Sequence, residues 1–211
     1  MTNGVRLRWL DMQDYEPVWR RMQALTEERD ATTRDEIWFL QHPPVFTLGM
    51  AANRDHLLAP GDIPVVAIDR GGQVTYHGPG QLVVYPLIDL RRQKLGVRDL
   101  VTALEVAVCR TAAGYAIDAY PRADAPGVYV EGRKLASVGL RVRRGCSFHG
   151  LACNVAMDLE PFRRINPCGF QGLEVTQLKD LGGPDDPEQV ARDLAPHLLA
   201  ELGYPADLLL T

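Results

Sequence analysis

Cysteine is scarce in this 211-residue chain: Cys109, Cys146, Cys153 and Cys168 are the only four, and no two form a C-x-x-C pair. Zinc-ribbon and thioredoxin-like chemistry therefore lack their usual ligand spacing. No apolar run reaches the roughly 18 residues of a membrane-spanning helix. The N-terminal stretch MTNGVRLRWLDMQDYEPVW lacks the unbroken apolar core of a signal peptide. The expected compartment is the cytoplasm, where thiols stay reduced. Positive charge is not in excess: 23 Lys and Arg stand against 27 Asp and Glu, for a net charge of −4 and a pI near 5.7. Neither nucleic acid nor a membrane is an expected partner. Neither G-x-G-x-x-G nor G-x-x-x-x-G-K-[ST] occurs, so no nucleotide-phosphate cradle is indicated, and no cofactor or metal is expected.

What is present suits a globular protein. Apolar residues make up 46% and charged residues 24%, and a chain of this length reads as one domain over 1–211. Residues 15–29 place Val18, Met22 and Leu25 at helical spacing. Residues 97–116 set Leu100, Leu104, Val108 and Ala112 along one helical face. Residues 187–202 read as a closing helix with Asp185 or Asp186 as its N-cap. Strands are predicted at 36–42, 45–48, 64–69, 81–90, 127–131, 134–143 and 146–156, the last two joined by an Arg144-Gly145 turn. Residues 70–80 and 157–172 read as loops. Hairpin-like groups of strands, with helices at the ends and in the middle, favour an α+β domain over a regular βαβ winding.

Three features could carry chemistry. Cys168 stands in Asn166-Pro167-Cys168-Gly169, where Pro167 restricts its own backbone and Gly169 tolerates positive φ. A thiol on such a turn can face a cleft, with adjacent N–H groups available to an oxyanion. The plain alternative is an incidental loop cysteine, since reactivity follows thiolate pKa and exposure. Cys109 in an apolar helix, Cys153 alternating with Leu151 and Val155, and Cys146 at a hairpin all read as structural. The segment Arg70-Gly71-Gly72-Gln73-Val74-Thr75-Tyr76-His77-Gly78-Pro79-Gly80 combines close-approach glycines with polar and aromatic side chains. It reads either as a ligand-binding loop or as an ordinary glycine-rich connection. Lys134 opens a strand in Gly132-Arg133-Lys134-Leu135-Ala136-Ser137-Val138-Gly139. In a desolvated cleft its amine would exchange protons near neutral pH and favour a neighbouring thiolate; on the surface it would be a solvated charge. His77 and His149 compete as bases, a Cys–His pair being the commoner dyad. Spacing alone does not choose among them.

Taken together and in order, RGGQVTYHGPGQ, PRADAPGVYVEGRKLASVGLRVRRGCSFHGLACNV and INPCG closely resemble the motifs of bacterial octanoyltransferases. The resemblance runs from about residue 15 to residue 178. It implies a fold like the biotin/lipoate protein ligases, a mixed sheet flanked by helices. It also implies transfer of an octanoyl group from acyl carrier protein to a lysine amine of lipoyl domains, in 2-oxoacid dehydrogenase complexes and the glycine cleavage H protein. By matching motif, Cys168 would be the acyl-thioester nucleophile and Lys134 its base and pKa partner. Arg70, Gly71, Gly72, Gln73, Val74, Thr75, Tyr76 and His77 would line the acyl site with Ser137, Val138, Gly139, Gly150, Leu151 and Ala152. No ATP is implied, in keeping with the missing P-loop.

Other readings remain open on sequence alone: an ATP-dependent lipoate or biotin ligase, a non-catalytic module that binds an acyl group or lipoyl domain, or a Cys–His hydrolase. Two basic groups, Arg91, Arg92, Lys94 and Arg98, and Arg141, Arg143, Arg144, Arg163 and Arg164, are candidates for docking an acidic carrier or simply solvated faces.

Overall fold

In a computed structural model, residues 4–169 and 171–211 are described, and for Cys168 the description is confined to the backbone. The strands are β1 (Val5–Met12), β2 (Asp35–Gln41), β3 (Val45–Leu48), β4 (Val65–Ala67), β5 (Val74–His77), β6 (Gln81–Leu87), β7 (Tyr120–Pro121), β8 (Gly127–Val130), β9 (Arg133–Arg143) and β10 (Cys146–Asn154). The helices are α1 (Tyr15–Glu28), α2 (Leu90–Gln93), α3 (Val97–Gly114) and α4 (Pro187–Glu201). Seven strands form one sheet in the order β1-β2-β6-β10-β9-β8-β7, and β4-β3-β5 form a smaller one.

Every residue of β6 and of β10 is buried. Their near-continuous apolar runs fit strands covered on both faces. One face is covered by α1, whose Tyr15, Val18, Met22 and Thr26 are buried; Val18 and Met22 pack with Trp38, Leu40, Val83, Tyr85 and Phe148. On the other face Leu104 of α3 and Leu198 of α4 reach complete burial among Phe39, Leu82, Val84 and Leu151. Burying one such leucine stabilises the fold by about 1.5–3 kcal/mol.

Several expectations need correction. A strand, not a helix, is the first element, and β1-α1-β2 is a parallel crossover in an otherwise antiparallel sheet. Its alternation is short because the register shifts between Trp9 and Met12, with Asp11 at φ 53°. The stretch expected as a loop over 70–80 contains β5. The strand expected over 81–90 stops at Leu87, because the Asp89 carboxylate accepts from the Arg91 and Arg92 N–H groups and starts α2. The loop over 157–172 holds two short 3-10 turns, Glu160–Arg164 and Pro167–Gly169. The Arg144-Gly145 turn has φ of 55° and 83°, as a type I′ hairpin requires. Asp186, not Asp185, caps α4.

One irregularity positions the site. β6 and β10 pair from Gln81↔Asn154 to Val84↔Leu151, and there the ladder stops. Pro86 has no N–H to donate. His149 is held at φ 58°, which costs about 1–3 kcal/mol for a non-glycine residue. The Ser147 hydroxyl substitutes for missing backbone partners, donating to the Pro86 carbonyl at 2.7 Å and accepting from the Ile88 N–H at 3.2 Å. Next to the kink, Gly150 lies opposite Gly139 on β9. A side chain on Gly139 would press on Arg70 Cδ at 3.2 Å. Its absence lets the Gly71 N–H reach the Leu140 carbonyl at 2.9 Å and dock the glycine turn on the large sheet.

Candidate active site

Between that docked turn, β5 and the open part of the large sheet lies a cavity of about 500 Å³. Its wall includes Arg70, Gly71, Gly72, Gln73, Val74, Thr75 and His77 from the glycine-rich segment, Ser137, Val138 and Gly139 from β9, and Gly150, Leu151 and Ala152 from β10. Tyr76 is not on this wall. Its ring packs on the opposite side of β5 between Phe46 and Phe162, at 5.4 and 5.5 Å between centroids. Strand alternation explains the split: Thr75 and His77 face the cavity while Tyr76 faces away. Sequence reading missed Tyr15, Val83, Tyr85, Val97, Val101, Asp124, Ala125, Pro126 and Leu140, which with His149 complete the wall. For Val83, Tyr85 and Val101 apolar periodicity signals only packing, so nothing in it separates a cavity wall from a core.

One end of the cavity is a cluster of neutral rings. His42 Nδ1 lies 2.6 Å from the Gln13 carbonyl and Nε2 lies 2.8 Å from the Tyr85 hydroxyl. A carbonyl only accepts, so Nδ1 carries the proton and Nε2 accepts from Tyr85. Burial holds the His42 pKa down at about 4, against a backbone hydrogen bond and Asp14, which raise it. His149 Nε2 contacts Asp69 at 2.8 Å, and Tyr15 Oη lies 3.5 Å from His149 Nδ1. Burial also lowers the pKa of His149, and that of His77 falls well below its ordinary value. For Asp69, burial raises the pKa, but hydrogen bonds from His149, Gln23 and Trp19 outweigh it and hold the carboxyl at about 2. The two histidines considered as bases are thus engaged by Gln81 and Asp69 respectively.

Lys134, 1% exposed, is not on the cavity wall; it lies behind Pro126, which is. Its Nζ donates to the Pro126 carbonyl at 3.1 Å and stands 5.2 Å from the centre of the Tyr129 ring. Gly127, at φ 132°, makes room for it: a side chain there would strike the Ala136 carbonyl and Lys134 Cε. Glu105 accepts from the Gly127 N–H at 2.7 Å. Burial raises the Glu105 pKa, opposed by that hydrogen bond and by the Lys134 ammonium. The backbone of Lys134 is clasped on both sides, donating to the Glu174 carbonyl and accepting from the Thr176 N–H, each at 2.9 Å.

The side chain of Cys168 falls outside the described residues. Its backbone occupies the Pro167–Gly169 turn, where the Gly169 N–H donates to the Asn166 carbonyl at 3.0 Å. Gly169, at φ 79°, lies against Gln73 and His56, and Gln73 is on the cavity wall. Two of the other thiols are unsuited to form thiolates. Burial pushes Cys153 up to about 12, and burial with Glu105 and Asp118 pushes Cys109 up to about 11. Cys146 is buried. Among the described residues, no group of His, Cys, Asp and Glu could hold a metal ion, and no helix is long and apolar enough to cross a membrane.

The mixed sheet flanked by helices is the fold of the lipoate and biotin protein ligases. The model of the lipoyl protein ligase A/B catalytic domain matches residues 14–199. A bipartite lipoate protein ligase from Thermoplasma acidophilum superposes with a TM-score of 0.74 at 15% identity, over 99% of this chain and 87% of that one. A biotin protein ligase from Aquifex aeolicus gives 0.56 at 13% identity, over 96% and 70%. An octanoyltransferase from Shewanella loihica is 60% identical over 200 residues, covering 95% of this chain and 92% of the relative. One from Alkalilimnicola ehrlichii is 62% identical over 195 residues, covering 92% and 91%. The chain belongs to the octanoyltransferases of the lipoyl protein ligase A/B family, acyltransferases of protein lipoylation.

Proposed function

We propose that this enzyme, read as a single domain over 1–211, takes octanoyl from acyl carrier protein onto Cys168 and passes it to a lysine of a lipoyl domain. The observation that carries the reading is the buried Lys134 amine, bonded to the carbonyl of the wall residue Pro126 and carried on a strand clasped by the segment that follows the Cys168 turn. Cys168 thiolate attacks the donor thioester carbonyl, and the carrier thiol leaves with a proton from Lys134. The acceptor amine then attacks the acyl-enzyme, Cys168 leaves as thiolate, and Lys134 takes the amine's proton. Exchange between thioesters is nearly balanced, and amide formation runs downhill, so no ATP is consumed.

The cavity supports the assignment of the acyl chain. Its volume of about 500 Å³ lies within the range of about 300–1,000 Å³ typical of small-molecule sites. Arg70, Gly71, Gly72, Gln73, Val74, Thr75 and His77 hold the chain with Ser137, Val138, Gly139, Gly150, Leu151 and Ala152; Tyr76 supports them from behind. Acceptors are the lipoyl domains of 2-oxoacid dehydrogenase complexes and the glycine cleavage H protein, and the compartment is the cytoplasm. The carrier docks on a basic surface where the two arginine groups meet, since the Leu90 N–H donates to the Gly145 carbonyl and Arg91 lies over Gly145. Arg92 and Arg143 pair there with the Asp35 and Glu27 carboxylates, while Arg144, among the described residues, donates only to the Glu27 backbone carbonyl and keeps its charge unneutralised, so Arg98 and Arg144 are the better docking charges.

Transfer to an apo-lipoyl domain tests this reading. Octanoyl carrier protein alone should octanoylate its lysine without ATP. Modification that requires free octanoate and ATP would replace the reading with that of a ligase, and release of free octanoate would make the enzyme a hydrolase.

A further inference from the structure

A chain of side-chain hydrogen bonds runs from the glycine turn, beneath the cavity, to the segment that clasps Lys134. Arg70 Nη2 donates to Thr47 Oγ1 at 2.9 Å, and Thr47 Oγ1 lies 3.5 Å from His77 Nε2. His77 Nδ1 lies 2.8 Å from Gln81 Oε1. Gln81 Nε2 donates to Asn154 Oδ1 at 2.9 Å, and Asn154 Nδ2 donates to the Thr176 carbonyl at 2.9 Å. All of these residues are buried.

The polarity of the chain follows from its ends. The Thr176 carbonyl can only accept, so Asn154 turns its amide nitrogen there and its oxygen towards Gln81. Gln81 must then offer its nitrogen, which also satisfies the Tyr76 carbonyl at 3.2 Å, leaving its oxygen for His77. His77 therefore carries its proton on Nδ1 and, being neutral, accepts at Nε2 from Thr47. Every donor points the same way, an arrangement in which each bond polarises the next.

At the far end Thr176 is fixed through its backbone. Its N–H donates to the Lys134 carbonyl and its carbonyl accepts from Asn154, while its buried hydroxyl has no partner among the described residues. The Asn154 amide is thus the side-chain tie between the interior network and the strand that carries the amine.

We propose that Asn154, oriented by Gln81 and His77, is a positioning residue for the acyl transfer. It holds residues 174–176 so that Lys134 is presented to the Cys168 turn. The inference rests on the reading of Cys168 and Lys134 as the reacting pair. The charged or titratable groups along the network are Arg70 at its start, His77 within it and Lys134 at its end.

The test is single-turnover acylation by octanoyl carrier protein, followed by intact mass from pH 5.5 to 9. Asn154→Ala keeps the backbone bond from the Leu178 N–H to the residue 154 carbonyl, and melting curves establish that each variant is folded. We expect Asn154→Ala to slow the limiting acylation rate ten-fold or more, with less than a two-fold change in the half-saturating donor concentration. Asn154→Asp should stay close to the wild-type rate while its carboxyl is protonated, because that group still accepts from Gln81 and donates to Thr176. It should fall away from wild type at any pH where the carboxyl ionises against the Thr176 carbonyl. A folded Asn154→Ala that acylates within two-fold of wild type would overturn the inference, as would Asn154→Asp keeping the wild-type rate where its carboxyl is shown to be ionised. Absence of acylation in the wild type would instead remove the underlying reading.

Discussion

The ring cluster on the cavity wall and the Lys134 pocket behind Pro126, the two ends of the site, are built on opposite plans. At the Tyr15–His149 end, neutral rings donate and accept in fixed directions, locked by Gln13, Asp69 and a strained strand residue. At the Lys134 end an amine is held between the Pro126 carbonyl and the Tyr129 ring. The first end can shape a site but has little proton traffic to offer near neutral pH. The second carries the group able to give and take a proton. The difference separates holding from chemistry, and substitutions at each end should fail in different ways.

The largest effect is expected from Lys134→Met, which keeps an apolar stem of similar length and removes the amine. Turnover should fall by about 10²–10⁴-fold, the usual worth of general acid–base catalysis, with the melting temperature at or above that of wild type. A loss of less than about ten-fold in steady-state transfer assays would erase the contrast between the ends.

The second prediction concerns acid. His42 goes from an ordinary pKa of 6.5 to about 4 on folding. A depressed pKa contributes stability that is complete above pH 6.5 and lost as pH falls through 4. For His42 this amounts to roughly 3 kcal/mol. His77 and His149 shift in the same direction. Asp69, held at about 2, adds a loss only below about pH 4. Denaturant melts should therefore show stability declining from pH 6.5 downward, and His42→Gln should flatten that slope. An unchanged slope would mean that the ring cluster is not the acid-labile element.

A smaller effect is expected from Tyr15→Phe, which removes one hydroxyl from the ring end. Stability should drop by about 0.5–1.5 kcal/mol in urea titrations, while turnover stays within about three-fold. Smallest of all, charge reversal of Arg98 and Arg144 should raise KM for octanoyl carrier protein a few-fold at low salt, an effect that disappears near 0.5 M salt. A KM indifferent to both charges would remove the docking surface.

Much of this was legible in the sequence, and unevenly. The helical stripe of Leu100, Leu104 and Val108 and the Arg144-Gly145 hairpin follow from local periodicity and turn chemistry, which need no distant partner. β1 was not legible, because its alternation breaks at Asp11 and its pairing depends on a strand some thirty residues away. The glycine-rich segment was recognisable as a candidate binding loop, but β5 within it forms only because β3 supplies a partner. Tyr15 and Tyr85 did not stand out within a predicted helix and strand, since burial patterns do not distinguish a cavity wall from packing. Lys134 read as one strand lysine among charged neighbours; its burial depends on Gly127, seven residues earlier, and on a return segment some forty residues later.

The central claim is that octanoyl resides on Cys168 between donor and acceptor. Intact-protein mass spectrometry after mixing with octanoyl carrier protein tests it most directly. The wild type should gain one octanoyl mass that hydroxylamine removes, and Cys168→Ser should gain no such labile mass. The same hydroxylamine-labile adduct, undiminished in Cys168→Ala, would contradict the claim.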